Sequence, residues 1–332
     1  MHIVVMGAGG VGGYFGGKLA RAGEAVTMVA RGAHADAIRY RGLRVRSMIE
    51  GEWLAKPEVA TSLEGRPRAD AVVLSVKGFD TARALETIRP VVGRDTPVLT
   101  LQNGVDGPEK IDAALGAGHA LGGAAYVFAT IESPGVVAHR FLGRIVLGEM
   151  DGRLTPRVER LRDALANAGV PVEVSTEIRR VLWEKYLFIC AQAGMTALTR
   201  ASTGVIRPVP ETWRMYRMML EELAALGARA GAGMAADVVE TIMKTAAALG
   251  PETTSSLHHD LLQGKRLELE TLHGHAVRLG ERLGVPTPML FAVYAALKPH
   301  AAGQVAEGRA AAPEGRAAAP EGRAAAPEGR QG

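Results

Sequence analysis

The opening stretch, MHIVVMGAGGVGGYFGGKLA, confines the fold more than any other part of the chain. HIVVM reads as a buried apolar strand, Gly7, Gly9 and Gly12 follow it in the spacing G-x-G-x-x-G, and the helical run GVGGYFGGKLARAG leads to a second apolar run at residues 25–30. Strand, turn, helix and strand make a βαβ unit. Gly7 permits the tight turn, Gly9 lets a pyrophosphate approach the backbone, and Gly12 lets the helix pack closely on the strand. The backbone of Gly7, Ala8, Gly9, Gly10, Val11 and Gly12 is therefore expected to cradle a dinucleotide at the helix N-terminus, where free N–H groups favour an anion. A glycine-rich turn without a ligand is the alternative, and the strand–helix context argues against it.

The same alternation continues through AVTMVA, DAVVLSV, TPVLTL and RIVLG, with amphipathic segments between several of them. It predicts parallel strands with crossover helices, an α/β Rossmann-type NADP-binding domain over residues 1–172. Further on, stretches such as ETWRMYRMMLEELAALGARAG show no strand-like runs and predict an all-α substrate and catalytic domain over residues 173–300. Pro171 marks the joint, and Ser175 or Thr176 is the expected N-cap of the first helix beyond it. Residues 301–332 are dominated by repeated EGRAAAP units, which hold almost no large apolar side chains and are expected to be disordered.

Composition narrows the partners. Hydrophobic residues make up 47% of the chain, enough for a large core. Lys+Arg 39 against Asp+Glu 35 gives no reason to propose nucleic acid and suits an anionic cofactor or substrate. Cys190, the single cysteine, excludes an intramolecular disulfide and a cysteine-based zinc site, and fits a reducing cytoplasm. No apolar stretch reaches about 18 residues and no signal segment precedes the first strand, so the protein is expected neither to enter nor to cross a membrane.

Four side chains carry candidate chemistry. Arg31 follows the second strand in MVARG, where an acidic residue would bind the ribose of NAD; a guanidinium suits the 2′-phosphate of NADP, although a solvated surface arginine reads the same way. Lys77 and Asn103 fall where the fourth and fifth strands should end, at the edge of the sheet where ligands bind. Lysine can neutralise phosphate and asparagine can both donate and accept, while Asn103-Gly104 also suits an ordinary turn. Lys185 lies in the apolar helical run RRVLWEKYLFICAQAGMTALTR. It either protonates a carbonyl oxygen as hydride arrives at carbon or reaches along its stem to solvent.

Five stretches in order, GAGGVGG, SVKGFDT, LQNGVD, WEKYLFICAQAGMTALTR with STGVIR, and SSLHHDLLQGKRLELETLHG, resemble the ketopantoate reductase family. The family reduces 2-dehydropantoate with NADPH on the route to pantothenate and coenzyme A. The resemblance implies that Lys185 is the catalytic proton donor, that Asn103 touches both cofactor and substrate, and that Lys77 contacts the cofactor. It also implies that Ser256 lies where substrate binds and that Glu268 closes the site beside nicotinamide and substrate, completing the catalytic pair with Lys185.

The chain departs from that pattern at three places. Similar reductases present asparagines four and eight residues after the lysine and before the glycine of TG; here those places hold Ile189, Ala193 and Thr203. Losing polar contacts to a substrate weakens discrimination for it, so another 2-keto acid competes with 2-dehydropantoate, and a non-catalytic NADPH sensor is the different-class alternative. Gln192, seven residues after Lys185, returns to within about 20° of its direction on a helix. It is either a substitute amide for the substrate, with Thr203 adding a hydroxyl, or a solvent-facing side chain. His258, His259, His273 and His275 match no helical metal-binding spacing, and no metal is expected. The oligomeric state stays open, with a homodimer as the candidate.

Overall fold

The computed structural model describes residues 1–303. Its strands are β1 (His2–Met6), β2 (Ala25–Val29), β3 (Leu43–Ser47), β4 (Gly51–Ala55), β5 (Glu58–Ala60), β6 (Ala71–Leu74), β7 (Val98–Thr100), β8 (Ala120–Ser133), β9 (Val136–Glu149) and β10 (Val172–Val174). They form one sheet in the order β4-β3-β9-β8-β7-β6-β1-β2-β5, with β10 beside β9. Around it lie α1 (Gly10–Arg21), α2 (Gly32–Arg41), α3 (Thr81–Ile88), α4 (Gly107–Leu115) and α5 (Pro156–Asn167). Then come the helices α6 (Ile178–Thr199), α7 (Thr203–Ile206), α8 (Pro210–Arg229), α9 (Val238–Ala247), α10 (Ser256–Leu262), α11 (His273–Leu283) and α12 (Pro288–Leu297).

Alternation along β1 explains the layering. Ile3 and Val5 share one core with Tyr14, Phe15 and Leu19 of α1, whereas Val4 and Met6 face Ala84, Leu85 and Ile88 of α3. Successive side chains of a strand point to opposite faces, so a strand buried on both sides is apolar throughout. From β5 through β2, β1, β6 and β7 to β8 the neighbours run parallel, the doubly wound arrangement expected from the sequence.

The other half of the sheet corrects the all-parallel expectation. β8 and β9 are long antiparallel partners, and β3 pairs antiparallel with β4. β8 opens ALGGAA, small residues without the β-branched density that marks a strand, and only the RIVLG end of β9 carries that signal. The short β3, β4 and β5 also escaped notice, so Lys77 and Asn103 follow the sixth and seventh strands, β6 and β7. β10 straddles the anticipated division at 172/173. Glu177, not Ser175 or Thr176, is the N-cap of α6, while the Ser175 hydroxyl accepts from the Glu177 N–H at 3.1 Å. Ala301, placed in the expected tail, accepts at 3.0 Å from the Leu267 N–H; the remaining stretch, 304–332, lies outside the described residues.

In the helical region α6 packs on α8, α9, α10 and α12 and also reaches β8 and β9. Tyr186 of α6 is fully buried and donates its hydroxyl proton to Leu272 O at 2.6 Å. His273, also fully buried, donates from Nε2 to Cys190 O at 3.0 Å, and its Nδ1 has no hydrogen-bond partner among the described residues. Burial lowers its pKa from 6.5 to about 4. The folded state thus holds His273 neutral where the unfolded chain would protonate it, so its contribution to stability is present above about pH 6.5 and is lost as pH falls toward 4. For one such group the loss approaches roughly 3 kcal/mol. Urea unfolding across this range is expected to show a shallower pH dependence in His273→Gln, which cannot titrate; identical slopes in both proteins would contradict it.

Candidate active site

The turn between β1 and α1 has the geometry of an anion cradle. Gly7 takes φ 105°, a conformation open to glycine, and its carbonyl accepts from the Ser75 hydroxyl at 2.8 Å. A Cβ at Gly12 would lie 1.9 Å from Gly7 O, and one at Gly10 would lie 1.9 Å from Ala129 O of β8, so helix and strands meet in backbone contact there. A Cβ at Gly9 would meet nothing within 4 Å. Gly9 is the N-cap of α1 and no side chain caps the helix, which leaves N–H groups of its first turn facing open space. Ala8 is buried and Val11 packs against the core, so these two offer a ligand their backbone.

His34 braces the cradle, a role the sequence reading missed. Its Nδ1 accepts from the Gly135 N–H at 3.0 Å, which leaves Nε2–H to donate to Ala8 O at 2.8 Å. Arg31 stands exposed as the N-cap of α2, just beyond β2. The cradle and its neighbouring guanidinium fit a dinucleotide: backbone donors for the pyrophosphate, a cation for a further phosphate.

Across the cleft, Lys77 and Glu268 come together. The Lys77 ammonium donates to Glu268 Oε2 at 2.8 Å and to Asp260 Oδ2 at 3.1 Å, while the Gly78 N–H donates to Glu268 Oε1 at 2.9 Å. Burial alone would lower the Lys77 pKa, but the two carboxylates raise it above its ordinary value. Asp260 was not singled out in the sequence, although it lies one helical turn beyond Ser256 on α10. Ser256 itself is exposed at the first position of α10; its neighbour Ser255 caps that helix by accepting from the His258 N–H at 3.1 Å.

Asn103 is half-buried beside Gly104, whose φ is 106°. The preceding Gln102 donates to Val76 O at 3.0 Å and to the Thr81 hydroxyl at 2.8 Å, tying the loop after β7 to the loop after β6. Nearby, Asp106 sits 3.2 Å from His275 Nδ1 and 2.7 Å from the Lys110 ammonium. Burial pushes its carboxyl pKa up, but these partners outweigh it and hold the value at about 2.

Lys185, on α6, is partly exposed in the cleft but surrounded by protein. Desolvation lowers its pKa from 10.5 to about 8, and the negative charge of Glu268 opposes the drop. Its ammonium lies 5.8 Å from the Tyr126 ring centre, and the Arg144 guanidinium lies 4.0 Å from the same ring. Neither Tyr126 nor Arg144 was anticipated.

Gln192 and Thr203 are corrected. The Gln192 amide donates to the Thr203 hydroxyl at 2.8 Å, and that hydroxyl donates to Thr253 O at 3.0 Å. With exposures of 5% and 1%, both side chains are closed inside the helical core and neither is offered to a substrate. Gln192 is equally not a solvent-facing residue.

Residues 3–152 match the family Ketopantoate reductase PanE/ApbA, and residues 177–301 match Ketopantoate reductase PanE/ApbA C terminal. The chain belongs to the ketopantoate reductase family. It is 32% identical over 319 residues to 2-dehydropantoate 2-reductase of Mesorhizobium japonicum, covering 90% of this chain and 97% of that one. The crystal structure of a PanE/ApbA family ketopantoate reductase from Ralstonia eutropha JMP134 matches with TM-score 0.83 at 32% identity, covering 91% of this chain and 98% of that one. D-mandelate dehydrogenase, solved with NADH and anilino(oxo)acetate, matches with TM-score 0.81 and covers 91% and 98% of the two chains; at 21% identity it shares the fold alone. The chain is an oxidoreductase of this family, and among the described residues no helix is long and apolar enough to cross a membrane.

Glu268 opposes the fall in the Lys185 pKa, so removing its charge should lower that pKa further. In Glu268→Gln the alkaline limb of kcat/KM is expected to lie at lower pH than in the unaltered protein. A limb that stays in place would show that Glu268 does not act on Lys185.

Proposed function

We propose that this chain reduces 2-keto acids with NADPH, with 2-dehydropantoate as the substrate and Lys185 as proton donor. The observation that carries the reading is the partly exposed Lys185 on α6, its ammonium 5.8 Å from the Tyr126 ring centre and close enough to feel the Glu268 charge, where burial lowers its pKa to about 8. An acid with a pKa near the working pH gives up its proton readily and is still largely charged at neutrality. When bound, the reduced nicotinamide supplies the hydride that the keto carbon accepts. Lys185 gives a proton to the keto oxygen as negative charge gathers there, and Glu268 keeps the ammonium charged until that moment.

Arg31 supports NADPH over NADH, because an exposed guanidinium beyond β2 can pair with a 2′-phosphate. The N-terminus of α1 receives the pyrophosphate, and Asn103 orients substrate and nicotinamide between the loops after β6 and β7. A second reading, reduction of a different 2-keto acid, is supported by Ile189, a half-buried apolar group one turn after Lys185 on α6.

The test is the rate of NADPH and NADH absorbance decay with a panel of 2-keto acids. Lys185→Ala is expected to lose about 10²-fold or more in kcat. Arg31→Ala is expected to lose most of the preference for NADPH. Equal kcat/KM for the two cofactors in the unaltered protein would overturn the choice of NADPH, and full kcat in Lys185→Ala would overturn the role of the lysine.

A further inference from the structure

β8 sets two rings along the cleft. Tyr126 and Phe128 are two residues apart on one strand, so their side chains leave it on the same face. Both turn toward the helical region. The Tyr126 ring centre is 5.8 Å from the Lys185 ammonium, and the Phe128 ring meets the His259 ring of α10 edge to face at 5.9 Å. The partner strand extends this row: Phe141 lies opposite Phe128 and stacks on it at 5.0 Å, and Arg144 lies opposite Tyr126 with its guanidinium 4.0 Å from that ring.

Tyr126 and Phe128 are both half-buried, so they border the cleft without filling a closed core. They span the distance from Lys185 on α6 to the helix that carries Ser256. One turn beyond Lys185 on α6, Ile189 is half-buried against the helical core and has no polar group to offer. A small side chain would leave this apolar surface uncovered; a flat ring would stack on it. The exposed Arg144 forms no ion pair with a carboxylate among the described residues and can draw a substrate carboxylate to the Lys185 end of the row.

We propose that the site also takes 2-keto acids whose side chain carries an aromatic ring, with that ring lying against Tyr126 and Phe128. This rests on the 2-keto acid reductase reading above. The keto carbon accepts a hydride from the reduced nicotinamide, which is left oxidised. The C=O π bond opens, the oxygen takes its proton from Lys185, and water returns a proton to the lysine. The product is the aromatic 2-hydroxy acid.

The experiment compares phenylpyruvate, 3-methyl-2-oxobutanoate and 2-dehydropantoate under NADPH. Phenylpyruvate is expected to exceed 3-methyl-2-oxobutanoate in kcat/KM by about ten-fold or more. Phe128→Ala and the better-packed Phe128→Leu should each lower that ratio about ten-fold, while Tyr126→Phe keeps it. Calorimetric titration of phenylpyruvate into the protein saturated with NADP+ gives a readout without turnover, and its Kd should rise several-fold in both Phe128 variants. Reduction of 2-dehydropantoate without that of phenylpyruvate would overturn the inference and leave the reductase reading standing. Equal loss for phenylpyruvate and 3-methyl-2-oxobutanoate in the Phe128 variants would remove the role of the rings. No turnover of any of the three would overturn both.

Discussion

The Lys77 ammonium, held between Glu268 and Asp260, joins the carboxyl end of β6 to the helical region. Glu268 is only 8% exposed, and a buried carboxylate is stable only when its charge is matched and its oxygens accept hydrogen bonds. Lys77 matches the charge through one oxygen, and the Gly78 N–H donates to the other. Gly78 can do so because it comes so close to Thr271 that any Cβ would collide at 2.1 Å. The same fastening ties the loop after β6 to the segment that precedes α11. A cation the sequence reading placed on a cofactor phosphate is engaged with carboxylates here.

The legible parts of this molecule were those written locally. Glycine spacing after a strand, apolar alternation and a lysine inside an apolar helix are properties of neighbouring residues, and the structure shows the β1–α1 turn, the parallel strands and the partly exposed Lys185 in corresponding places. What stayed hidden was long-range. Lys77 and Glu268 are separated by 191 residues, and no local period announces that they meet. The β8–β9 pair was obscured by the glycines and alanines that open β8, small because Gly122 passes against α6 and Gly123 against the end of β7. Tyr126 and Phe128 follow that weak signal and were lost with it.

The Gln192–Thr203 pair shows why direction on a helix does not decide access. Gln192 does project near the direction of Lys185, as a seven-residue step requires, but Thr203 begins α7 directly beneath its amide. Two polar side chains that sequence reasoning offered to a substrate satisfy each other in the interior, where an unpaired amide would be costly. Ala193, 3% exposed on the same helix, belongs to the core in which this pair is enclosed.

Within four residues, β8 touches both the head of α1 and the helical region. Tyr126 and Phe128 face the helical region, and the Ala129 carbonyl presses against Gly10 at the head of α1. The pairing of β8 with β9 shifts register twice within these residues, between Tyr126 and Val127 and between Phe128 and Ala129. A substitution that displaces this segment is therefore felt on two fronts, by the glycine turn at the head of α1 and by the rings that face α6 and α10.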